Sequence, residues 1–353
     1  METKLVKIDN VKAQKEALHI AGELIRQGEV VAFPTETVYG LGANGLDADA
    51  CAKIYQAKGR PSDNPLILHV ANRSMIDQIA VKIPEKAEKL IAAFCPGPIT
   101  LILPRKSIVP DRITGGLSTV GVRMPEHDVA RALIAAAGVP IAAPSANISG
   151  RPSPTTAESV LVDMDGKIPM ILDGGACDFG VESTIVDASG DKAVILRPGA
   201  ITREMLEEVL GAGHVVIDPA LVGADSVPKA PGMKYTHYAP KAPLTLIEGM
   251  PTRMARAFRR EIVRLQGEGH KVGVIASHEV LQEMKDIVPA ELMADYGHQG
   301  QLPAIAANIY EALRSFDEKE ADVLLGEGTT SEGLGLAIMN RLHKASGFRT
   351  IKA

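Results

Sequence analysis

The chain has 353 residues, 46% hydrophobic and 23% charged, with no Trp and a formal net charge of -5. That length exceeds one ordinary core and suits two domains, the apolar share excludes a disordered chain, and the negative balance excludes a whole-molecule footprint for non-specific nucleic-acid binding, leaving only a local basic cleft open. Cys51, Cys95 and Cys177 are too scattered for a disulfide framework or a cysteine zinc site, and with no apolar leader and no apolar run of ~18 residues the chain reads as cytoplasmic.

From Val11 to Gln27 apolar residues recur at helical spacing (Ala17, Leu18, Ala21, Leu24, Ile25), and Gly28 supplies a stop. Val30–Phe33 reads as a buried strand and runs directly into PTETVYGLGANG, Pro34–Gly45. Gly40-x-Gly42-x-x-Gly45 formally matches the dinucleotide fingerprint. In that motif the helix opens within the glycines, whereas here the best cap, Asp47, follows them and opens a helix through Tyr55. The glycines therefore read as a loop that needs positive φ, and the hydroxyls of Thr35 and Thr37 suit a small polar ligand.

Next comes KGRPSDNPLILHV, Lys58–Val70. Lys58 and Arg60 are two cations just past a helix end, where they either answer the helix dipole or serve a site. Pro61 and Pro65 stiffen the turn, Asn64 adds an amide, and His69 sits on the strand Pro65–Val70. Helices are expected over Glu85–Phe94 and Val129–Ala137, and strands over Ile99–Leu103 and Val139–Ala142. In STVGVRMPEH, Arg123 ends an apolar strand before a proline, and is either a structural ion pair or a fork onto an anion such as a carboxylate. APSANISGRPSPT, Ala143–Thr155, collects hydroxyls and amides and reads on its own as a turn-rich loop. The strands Ile168–Leu172, Thr184–Val186 and Ala193–Leu196 lie close together in sequence, as in an antiparallel or mixed part of a sheet; Ser183 precedes one and Arg197 ends another. The first two-thirds is therefore α/β with a mixed sheet.

Periodicity fades from Gly211 to Pro243, a proline-rich linker that carries Tyr235, His237 and Tyr238. Strand and helix then alternate: Leu244–Ile247, Arg253–Leu265, Val272–Ile275, Val280–Lys285, Ala304–Phe316, Val323–Leu325 and Leu334–Leu342, a small doubly wound domain. The expected organisation is a catalytic domain over 1–210, a linker over 211–243 and a Rossmann-like domain over 244–353.

Three cationic spots (Lys58 with Arg60, Arg123, Arg197) thus lie at the edges of apolar strands among small polar loops, with no metal-ligand spacing, nucleophile elbow or Walker lysine loop. Such a pocket suits holding several anions and aligning them, with catalysis from orientation and charge stabilisation. A negative chain with few aromatics speaks against an RNA-binding or ribosome-assembly module, the main alternative.

Taken together, PTETVYGLG, KGRPSDNPL, CPGPITLIL, GVRMP, APSANISG and ILRPG resemble, in this order, the threonylcarbamoyl-AMP synthase family with its YrdC-type domain. The stretches APGMKYTHYAP and GLGLAIMNRLHKAS resemble its longer, two-domain branch. The resemblance implies an α/β twisted mixed sheet around a central cavity, followed by a smaller Rossmann-like domain. It implies an enzyme that condenses L-threonine, bicarbonate or CO2 and ATP to threonylcarbamoyl-AMP and pyrophosphate, with Mg²⁺ on the nucleotide. The product would pass to a separate transferase that modifies tRNA, without stable tRNA binding by this chain. By motif position, Thr37, His69, Arg123, Ala143 and Ser183 would surround threonine, and Lys58 and Arg60 would be catalytic. Arg60, Asn64, Thr119, Ser145, Asn147, Ser153 and Arg197 would surround ATP, with Tyr235 closing over the nucleotide as part of a lid. The zinc-binding cysteines of a related carbamoyl-transfer enzyme for metallocentre maturation are missing.

Overall fold

A computed structural model describes residues 2–221 and 238–353. The chain divides into two units: Met1–Ser149 with Ser153–Lys234, and Gly150–Pro152 with Tyr235–Ala353. No described helix is long and apolar enough to cross a membrane.

The first unit is built on an 11-stranded mixed sheet. Across it lie, in order, Lys4–Lys7, Met170–Asp173, Val31–Phe33, Gly40–Asn44, Ile141–Ala142, Ile67–His69, Thr119–Arg123, Ile99–Pro104, Thr184–Asp187, Ala193–Arg197 and Val215–Ile217. Its centre shows how alternation divides labour between the two faces. Leu68, Val120, Val122, Leu101 and Leu103 point to the main hydrophobic core. Ile67, His69, Gly121, Arg123, Thr100 and Ile102 alternate with them and take the opposite face. There Ile67, Ile185 and Leu196 form a small separate apolar cluster, with Ile102 and Val194 packed against it.

Three sequence expectations change. The glycines of Gly40-x-Gly42-x-x-Gly45 are not at positive φ; Gly40–Asn44 is an extended strand, and the helix begins only at Ala48. The glycine requirement is room: a Cβ on Gly42 would stand 2.7 Å from both Ile141 and Phe33. The strand near Met170 does not join Thr184–Asp187 but pairs in parallel with Lys4–Lys7 and Val31–Phe33, far across the sheet. Val215–Ile217, within the stretch read as linker, is the sheet's last strand, paired with Ala193–Arg197.

The second unit is a five-stranded, wholly parallel sheet in the order Met293–Asp295, Val272–Ala276, Val323–Glu327, Leu244–Glu248, Thr350–Lys352. Numbered along the chain that order is 3-2-4-1-5, which differs from the 3-2-1-4-5-6 order of dinucleotide-binding folds. Helices Pro251–Gly267 and His278–Met284 pack together, as do Leu302–Arg314 and Leu334–Ala345. The short outer strands Met293–Asp295 and Thr350–Lys352 lack the apolar-rich stretches that reveal the inner three.

Candidate active site

Helix Ala48–Lys58 is capped by the Asp47 carboxylate, which accepts from the backbone N–H groups of Asp49 and Ala50. It ends on Lys58, and Gly59 at φ 61° turns the chain away, a conformation that favours glycine. Lys58 is therefore the last helical residue, not one past the end. Buried to 2% exposure, Nζ donates to the Ser145 and Asn147 carbonyls, each at 2.5 Å, with Asn147 Oδ1 at 3.4 Å. Burial first, and then the Arg60 charge, hold its pKa well below the lysine range, while three oxygen acceptors match the three hydrogens of the charged form.

The loop Lys58 grips is tied elsewhere too. Ser145 forms a bridge with Gly40, its hydroxyl donates to Asn147 Oδ1 at 2.6 Å, and Ser149 N–H donates to the Lys58 carbonyl. Arg60 reaches the Pro65 carbonyl at 3.2 Å, and Asn64 is buried with its carbonyl accepting from the Tyr55 hydroxyl. Ser153 is fully buried and donates to Glu182 Oε1 at 2.5 Å.

On the face of the sheet opposite the main core, His69 pairs in register with Arg123 on one side and Ile141 on the other. Ala143 follows that last strand and donates its N–H to the Ile67 carbonyl. Thr119 begins the strand that Arg123 ends. Ser183 donates to or accepts from Thr100 at 2.7 Å, and the Arg197 guanidinium donates to both the Ser183 carbonyl and hydroxyl at 3.0 Å. Arg197 gains this aim from a bulge: Ile195 pairs with Val186 and Arg197 with Ile185, leaving Leu196 as the extra residue. Thr35 and Thr37 lie with their hydroxyl oxygens 3.0 Å apart, both buried, and Thr35 Oγ1 is 3.5 Å from Arg123 Nη2.

His69 sits against the edge of Phe33 with Nδ1 3.2 Å from the Ile67 carbonyl. Burial, reinforced by Arg123 and Arg197, pulls its pKa down to about 3, so the ring is neutral at physiological pH. Unfolding restores a group that protonates near 6.5. The unfolded chain thus binds the proton first, and stability falls as pH drops from 6.5 towards 3. His69→Gln should remove about 2 kcal/mol of the stability lost between pH 7 and pH 5, measured by denaturant unfolding at both values. Equal losses in the two proteins would mean that His69 is not held as the neutral ring.

Arg123 makes the structural ion pair that is one of its two sequence alternatives. Its Nη2 lies 2.7 Å from Glu36 Oε1, and the two side chains are 5% and 2% exposed. In sequence Glu36 stands between two threonines whose hydroxyls suit a ligand equally well, and nothing local ties it to Arg123. The signal was available: an acidic residue inside an otherwise apolar, glycine-rich, buried stretch. Tyr235 lies outside the described residues; Tyr238 is buried in the second unit and stacked on Tyr310 at 5.2 Å.

A family model named for Sua5, YciO and YrdC, and described as telomere recombination, matches residues 23–199. A second, described as the threonylcarbamoyl-AMP synthase C-terminal domain, matches residues 201–347. The threonylcarbamoyl-AMP synthase of Bacillus subtilis is 50% identical over 94% of this chain and 93% of its own length. The chain belongs to the threonylcarbamoyl-AMP synthase family. The Pyrococcus abyssi threonylcarbamoyl-AMP synthase is 49% identical over 95% of both chains. The crystal structure of P. abyssi Sua5 with L-threonine superposes with a TM-score of 0.92 at 47% identity, covering 99% of this chain and 100% of that one. Family membership thus extends over both units, and the fold is that of the P. abyssi relative.

Proposed function

We propose that this protein is an L-threonylcarbamoyladenylate synthase, condensing L-threonine, bicarbonate or CO2 and ATP. The observation that carries the reading is the polar face on which Arg123, His69, Ser183 and Arg197 meet, in a chain 47% identical to a relative crystallised with L-threonine. On this reading Arg123 takes the threonine carboxylate, with Thr37, His69, Ala143 and Ser183 around the rest of the amino acid. Arg60, Asn64, Thr119, Ser145, Asn147, Ser153 and Arg197 surround ATP, and Lys58 keeps the Ser145–Asn147 loop against it. Tyr235 remains the candidate closing residue.

The threonine amine, once deprotonated, adds to the one-carbon substrate to give a carbamate. The carbamate attacks the α-phosphorus of ATP and pyrophosphate leaves. Both partners are anions, so the buried cations offset a repulsion that would be weaker in water than in a dry site. Among the described residues no group of three or more His, Cys, Asp and Glu could hold a metal. Mg²⁺ would accordingly enter on the ATP phosphates with most of its shell from phosphate and water. The product is an activated carbamoyl adenylate, suited to a separate transferase acting on tRNA.

Pyrophosphate release should require threonine and bicarbonate together with ATP, and mass analysis should find the threonylcarbamoyl adenylate. Equal release with ATP alone would make the protein a plain pyrophosphohydrolase and overturn the reading.

A further inference from the structure

Buried polar atoms without a hydrogen-bond partner are uncommon, and each calls for a cause. Among the described residues, four such atoms belong to three interacting side chains: both carboxylate oxygens of Glu36, Arg123 Nε and His127 Nδ1. Glu36 Oε1 has the charge of Arg123 at 2.7 Å but no aligned hydrogen bond. A carboxylate at 2% exposure with this much unused accepting capacity, beside a guanidinium with an unused edge, has the form of a receptor for a zwitterion. An α-amino acid carries both matching ends within a few ångströms of each other.

Building on the proposed reading of Arg123, we propose that Glu36 receives the ammonium of the amino-acid substrate and takes its proton. The substrate carboxylate competes with Glu36 for the Arg123 guanidinium. As that cation is shared, the Glu36 carboxylate loses part of its compensating charge at the moment an ammonium is set against it. One N–H bond breaks, one O–H bond forms on Glu36, and the freed lone pair adds to the one-carbon substrate. One ammonium and one bicarbonate give one carbamate, one water and one proton, and that proton first rests on Glu36.

The surroundings suit the transfer. Arg123 faces Glu36 from its strand, His127 from the turn before helix Asp128–Ala137, Cys95 from the end of helix Glu85–Phe94, and Cys177 from the loop after Met170–Asp173, where Asp178 acts on His127 and Cys177. Burial pushes the Cys95 thiol up to about 11 and Cys177 higher, so neither competes for the proton near neutrality. Burial likewise lowers the His127 pKa, leaving a neutral ring. That ring lines a solvent-open groove of about 1180 Å³ with Asn10, Lys12, Asn72, Asp128 and Arg131.

The test is pyrophosphate release by wild type, Glu36→Gln and Glu36→Asp, with threonine varied from pH 7 to pH 9.5 and melting curves recorded alongside. Wild-type release that ignores threonine would fail the functional reading itself, independently of Glu36. With that reading intact, Glu36→Gln should lower kcat about 100-fold at pH 7, and the deficit should close roughly tenfold per pH unit as free amine accumulates. Glu36→Asp should keep the wild-type pH profile at reduced rate; it carries the test if Glu36→Gln does not fold. A Glu36→Gln deficit that is constant with pH, or confined to KM for threonine, would overturn the proposal and leave Glu36 only positioning Arg123. So would an aspartate variant whose profile rises with pH as expected for glutamine.

Discussion

Arg123→Ala should lower kcat/KM for threonine about 100-fold while changing ATP affinity little, since a charge-assisted contact is worth about 1.5–3 kcal/mol. The buried pairing adds a second, separable effect. Removing the guanidinium strands the Glu36 carboxylate at 2% exposure, and breaking such a pair costs about 3–5 kcal/mol of stability. The double variant Arg123→Ala with Glu36→Gln should recover most of that stability, because no charge is left buried alone, yet should not regain threonine use. Threonine titration separates the two effects from denaturant unfolding. Superimposable threonine titrations for wild type and Arg123→Ala would make the arginine merely structural. A double variant no more stable than the single one would show that the buried charge is not the source of the loss.

Lys58→Met should be the most damaging change on the nucleotide side. Methionine fills much the same volume but donates nothing, so the Ser145 and Asn147 carbonyls, each 2.5 Å from Nζ, lose a buried partner together. At about 1–3 kcal/mol for each of the two stranded groups, the fold should lose about 2–6 kcal/mol. The ammonium grips both ends of the Ser145–Asn147 loop, so ATP affinity should fall with stability. Melting temperature and nucleotide binding measured on one preparation decide the matter. A variant that melts like the wild type and binds ATP normally, but does not turn over, would move Lys58 from loop anchor to the reacting atoms.

Much of the architecture was legible along the chain because apolar periodicity is a local property. The helix expected near Glu85–Phe94 spans those residues, and the inner parallel strands of the second unit stand out as apolar-rich stretches. The six ordered motifs were enough to recognise the family, which two family models and a 50% identical relative show. What the chain could not reveal was which strands are neighbours. Met170–Asp173 is close in sequence to Thr184–Asp187 but pairs with Lys4–Lys7, since strand pairing follows the sheet as a whole. Nor could it give direction: a bulge between Ile195 and Arg197 aims that arginine at Ser183, and glycine at 42 answers to Phe33 and Ile141 across the sheet, not to a turn. The deepest case is Glu36, which in sequence is one acid between two threonines. Only folding brings it within 2.7 Å of Arg123, 87 positions away, and withholds water from both, and that burial turns an ordinary carboxylate into one that must find a charged partner.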